Sequence, residues 1–153
     1  RHLCLLAQTK TSDEKVWESL GYSDEQKPPH SLVDRLNKMK LWIKSKHLPE
    51  EMRISIVDNP TPETFTQFGD DEIKVLIVLK KELENCEWNK EEIGNAIPNS
   101  AKSVDLSAKI AYFVAYNSLM GRSRGPRLAP ILVEIDRERI IKILEKCLTV
   151  INP

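Results

Sequence analysis

Three cysteines are all that this chain of 153 residues contains, and Cys4, Cys86 and Cys147 are too widely scattered to form a CxxC pair. So odd and dispersed a set gives no zinc site and no disulfide framework, and reads as buried apolar thiols in a reducing, cytoplasmic compartment. Net charge is missing too, because 23 lysines and arginines balance 23 aspartates and glutamates. That balance argues against a histone-like or tail-driven nucleic-acid binder. It leaves RNA binding open, since the distribution of charge decides that rather than its sum. No apolar run approaches a membrane span and no signal peptide opens the chain, so no membrane partner is expected. The first residue is Arg1 rather than methionine, already inside an apolar pattern (RHLCLLAQ). This is the expectation for a fragment of a longer protein.

Catalytic signatures are also lacking. There is no GxxxxGK, HExxH, GxSxG or dinucleotide fingerprint. His2, His30 and His47 stand apart, each near a helix end or loop, and no metal site is expected. The carboxylates gather at helix starts, where the macrodipole favours them.

What is present is helical periodicity. Residues 1–9 read as a helix, and Thr11 to Glu14 has capping-box spacing before a short helix that stops at Gly21. A helix is predicted from Ser31 to about Lys46, with Leu32, Leu36, Met39 and Ile43 on its apolar side. Glu51 to Val57 alternates in polarity and predicts a brief extended segment. Thr61 and Pro62 suit a short helix start, and Asp70 or Asp71 opens a strong helix. Asn89 to Glu92 repeats the capping box, with Pro98 ending that helix. Asp105 or Ser107 opens the next, and Asp136 caps the last. The sum is an all-α bundle of about seven helices in 1–153, with sub-parts at 1–58 and 59–153.

Two basic stretches stand out. Lys38 to His47 holds four lysines and no acid, with Trp42 among them. It suits either a solvated helix face or a stacking platform for RNA. From Gly121 to Arg127, Arg122, Arg124 and Arg127 stand between Gly121, Gly125 and Pro126, with Tyr112 and Tyr116 on the helix before. Glycine frees φ and proline fixes it, so the segment turns tightly. Its guanidinium forks are either solvated on a helix–helix connection or aimed at phosphates and base edges.

The order of parts resembles the C-terminal anticodon-binding helix cage of class I lysyl-tRNA synthetases. The segments that carry the likeness are RLNKMKLWIKSKHLPEEMRISI at 35–56, ENCEWNKEEIGNAI at 84–97 and AYFVAYNSLMGRSRGPRLAPILVEIDRERIIKIL at 111–144. The last is the most specific, through GPRL and Asp136-Arg137-Glu138. Glutamyl-tRNA synthetases form the near alternative. Bacterial ones carry an arginine where this chain has Tyr116, five residues before the loop glycine, and lysyl enzymes tend to have tyrosine there.

The resemblance implies a tRNA-binding domain. Tyr116 would contact a base, Arg122, Arg124 and Arg127 would contact phosphates or base edges, and Arg35 and Trp42 would assist. It also implies a separate N-terminal catalytic domain in the parent enzyme, which would attach lysine to tRNA using ATP. HIGH-like and KMSKS-like motifs are absent, so this piece is expected to bind tRNA and catalyse nothing. A helical protein-interaction module is the rival from another class.

Overall fold

The computed structural model describes residues 2–10, 12–49 and 52–151. They form eight α-helices and a 3₁₀ turn, and no strand occurs among them. The all-α expectation therefore holds. The chain divides into two compact units, Arg1–Ile54 and Ser55–Pro153.

The first unit contains α1 (His2–Thr9), α2 (Asp13–Ser19) and α3 (His30–Lys44). Leu6, Val16 and Leu36 form its core, and Leu3, Leu5, Ala7, Trp17 and Leu20 pack around them. Thr11 lies outside the described residues. The cap seen on α2 is Ser12, whose side chain accepts from the Lys15 N–H. The extended segment expected at 51–57 (Glu51 lies outside the described residues) takes no regular structure over 53–57. A side chain serves as its partner: Gln8 donates to the Met52 carbonyl at 3.2 Å and accepts from the Ile54 N–H at 2.8 Å. Arg53 then caps α3, donating to the carbonyls of Ile43 and Ser45.

The second unit contains α4 (Asp70–Asn85), α5 (Lys90–Lys102), α6 (Ala108–Met120), α7 (Leu128–Leu132) and α8 (Arg137–Ile151). α4 lies at the centre and packs against α5, α6 and α8. Its Val75, Leu76, Leu79 and Leu83 are buried at the helical spacing that faces those neighbours. Gly69 precedes α4, and Glu72 reaches back to accept from its N–H. The 3₁₀ turn at Pro62–Phe65 closes on α6 through Phe65, Phe68 and Phe113, whose rings lie 5.1 and 5.7 Å apart in succession. Cys4 and Cys147 are buried and Cys86 is half-buried, all three as free thiols. Burial pushes the Cys147 thiol up to about 12, so it stays protonated and unreactive.

Two features differ from expectation. α7, inside the connection after the arginines, was not legible as a helix because it is a single short turn with Pro130 within it. The larger correction concerns Pro98, expected to end α5. The helix continues through it to Lys102. Proline removes one backbone donor, but Ile93, Ile97, Ser100 and Ala101 on both sides of it are fully or almost fully buried. Stopping the helix at Pro98 would pull Ser100 and Ala101 out of the core, so packing overrides the local preference.

The helix ends instead in a Schellman motif. Leu106 N–H bonds to the Ala101 carbonyl and Asp105 N–H to the Lys102 carbonyl, with Asp105 left-handed at φ 60°. An aspartate there carries the Cβ penalty that glycine avoids. Asp105→Gly should therefore stabilise the protein by about 0.5–1 kcal/mol, read as a higher urea midpoint at unchanged slope.

Candidate functional site

The arginine loop is built from the end of α6. Gly121 ends that helix in the left-handed region at φ 69°, and its N–H bonds to the Asn117 carbonyl. A Cβ at Gly121 would also crowd Val57 at 3.3 Å, so the left-handed conformation favours glycine here and the tight approach adds to it. The loop returns through Pro126 to α7, whose Leu128, Ile131 and Leu132 are buried and fix its far end.

Tyr116 braces the loop from within. Its hydroxyl donates to the Pro126 carbonyl at 2.7 Å, with the Gly125 carbonyl at 3.3 Å. Gly125 packs close to the Tyr116 ring and the Met120 sulfur, each 3.2 Å from where a Cβ would stand. Burial raises the Tyr116 pKa and neighbouring Tyr112 adds to the rise, while Arg122 opposes it. The phenol therefore remains a neutral donor to the loop. Tyr116→Phe should loosen the loop and cost about 1 kcal/mol of stability. Faster amide exchange confined to residues 122–127 would show it.

The arginines divide into two kinds. Arg122 is half-buried, and one of its terminal nitrogens lies 3.4 Å from the Cβ position of Gly125. Arg124 and Arg127 are exposed, and neither side chain has a hydrogen-bond or ion-pair partner among the described residues. Arg137, Arg139 and Lys146 of this unit are engaged internally. Arg137 stacks over Trp88 at 5.3 Å and donates to the Cys86 carbonyl, while Trp88 donates to the Ile135 carbonyl at 2.9 Å. Arg139 grips Asp58 through two 2.9 Å bonds and holds its carboxyl below the usual range. Lys146 donates to the Asp58 carbonyl and to Asn59. These side chains fasten the fold, whereas Arg124 and Arg127 are unengaged among the described residues.

Arg35 and Trp42 belong to the first unit. They stand two turns apart on α3 and so share one of its faces, Arg35 exposed and Trp42 half-buried. The lysine run there is less basic than its sequence suggests. Lys38 pairs with Asp34 at 3.2 Å and Lys40 with Asp13 on α2 at 2.5 Å. The first pair was legible as an i,i+4 spacing, but the second joins different helices.

No helix among the described residues is long and apolar enough to cross a membrane. No family model matches the chain. It is 28% identical to the lysine–tRNA ligase of Picrophilus torridus over 144 residues, which cover 93% of this chain and 27% of that protein. The lysine–tRNA ligase of Pyrococcus horikoshii is 33% identical over 111 residues, 72% of this chain and 20% of the relative. That of Archaeoglobus fulgidus is 27% identical over 148 residues, 92% of this chain and 29% of the relative. The chain thus spans under a third of the length of these curated relatives. Their shared name does not favour the glutamyl alternative. Over most of its own length, the chain is similar to one stretch of the lysine–tRNA ligases.

Proposed function

We propose that this chain is the anticodon-binding region of a cytoplasmic lysine–tRNA ligase and that the loop at 121–127 contacts the tRNA. The observation that carries the reading is the pair of guanidinium groups, Arg124 and Arg127, unengaged among the described residues, on a loop tied down by the Tyr116 hydroxyl and by α7. Preorganised arginines suit the phosphates and base edges of unpaired nucleotides. Tyr116 and Arg122, both half-buried, shape the loop and offer only part of their surface to a base. Arg35 and Trp42 on α3 form a second, lesser contact. Attachment of lysine with ATP falls to a catalytic domain of the same polypeptide, and this region contributes recognition.

Binding to lysine and glutamate tRNA transcripts, each with native and swapped anticodons, tests the reading at two salt concentrations. Affinity that follows the lysine anticodon supports it. Equal affinity for every transcript, with a uniform loss in salt, reduces the region to a phosphate binder.

A further inference from the structure

Tyr112 is an exception on the surface of the second unit. It is 41% exposed, one of only three large apolar side chains so exposed among the described residues. Its hydroxyl makes no hydrogen bond among those residues. It precedes Tyr116 by four positions on α6, so the two rings lie on one face about 6 Å apart along the axis. Exposed Lys109 stands one turn earlier on the same face, and the arginine loop begins where α6 ends. No acid occurs in the sequence between Asp105 and Glu134.

We propose that Tyr112 is a stacking surface for an unpaired nucleobase, extending the arginine loop into a track along α6 with Lys109 at its outer end. The charge selects the occupant. An apolar protein surface laid over Tyr112 would desolvate Lys109 and the neighbouring arginines without compensation, whereas a single RNA strand supplies a ring for the tyrosine and phosphates for the cations. Tyr116 is less suited to this role, because its hydroxyl is bonded into the loop and its ring is covered by Gly125. The inference rests on the anticodon reading above, and names which side chain meets a base.

The test uses an anticodon stem-loop RNA in which each loop base in turn is replaced by fluorescent 2-aminopurine, titrated with the native chain, Tyr112→Ala, Tyr112→Phe and Arg124→Ala. Circular dichroism melts confirm that each variant folds. The expected result is quenching at one loop position on binding, lost in Tyr112→Ala together with a roughly tenfold weaker affinity, and retained in Tyr112→Phe. Unchanged quenching and affinity in Tyr112→Ala, with weakened binding in Arg124→Ala, overturns this proposal and leaves the anticodon reading standing. No RNA binding by the native chain overturns both.

Discussion

The double variant Arg124→Ala/Arg127→Ala is expected to lose roughly 2–4 kcal/mol of affinity for a lysine tRNA transcript, each arginine contributing within the usual range for one phosphate or base-edge contact. Both side chains are exposed and lack an internal partner among the described residues, so the fold gives up little when they are removed. The melting midpoint should therefore stay within experimental scatter while binding falls. Salt dependence tells the two contact types apart. Loss of two phosphate contacts lowers the log–log salt slope by about 1.4, at roughly 0.7 per phosphate on a single strand. An unchanged slope with relaxed anticodon preference points instead to base edges. The counterpart is Arg139→Ala. It breaks the clamp on Asp58 and should leave tRNA affinity nearly intact, because that guanidinium already has its carboxylate. A double arginine variant that binds as tightly as the native chain would remove the loop from the site.

The second large effect concerns stability. Leu79→Ala should destabilise the second unit by about 2–5 kcal/mol, through lost transfer energy and the cavity left behind. Leu79 is fully buried on α4, the helix in contact with α5, α6 and α8. A void there forfeits packing on several sides at once, and neighbours anchored by three other helices cannot easily collapse into it. Ile77 lies two positions earlier on the same helix but is 52% exposed. Ile77→Ala should cost no more than about 0.5 kcal/mol. Urea unfolding of both variants checks the pair, since helix propensity favours alanine in each and burial alone differs. Similar midpoints for the two would mean that α4 is not the centre of the core. Against a typical domain stability of about 5–15 kcal/mol, the Leu79 loss is large enough to appear as reduced yield at 37 °C.

Much of this protein follows from rules that act within one turn of helix. The Asn89 cap, with its side chain accepting from the Glu92 N–H at 2.8 Å, was readable because cap and donor lie three residues apart. Ser107 opens α6 and Gly121 closes it in the left-handed region for the same local reasons, serine as side-chain acceptor and glycine as the residue without a Cβ. The likeness to lysine–tRNA ligases was legible too, in the string from Ala111 to Leu144. It survives as a pattern of residue types whatever their contacts.

What was illegible joins residues far apart in the chain. Pro98 looked like a stop because the local cost of a missing N–H is visible in sequence, while the burial of Ser100 and Ala101 that outweighs it is not. Gln8 as a side-chain partner for the backbone at 52–54, and Arg139 on Asp58 across 81 positions, leave no periodic signature, since nothing in spacing encodes which distant elements will touch. The site shows the same division. Its three arginines, Arg122, Arg124 and Arg127, are indistinguishable as letters. Packing turns Arg122 in against Gly125, bonds the Tyr116 hydroxyl to the loop carbonyls, and leaves Arg124, Arg127 and Tyr112 facing solvent. Residue type supplied the chemistry, but which groups remain unengaged depends on the neighbours the folded chain gives them, because a hydrogen bond or a buried face is a property of two partners in space.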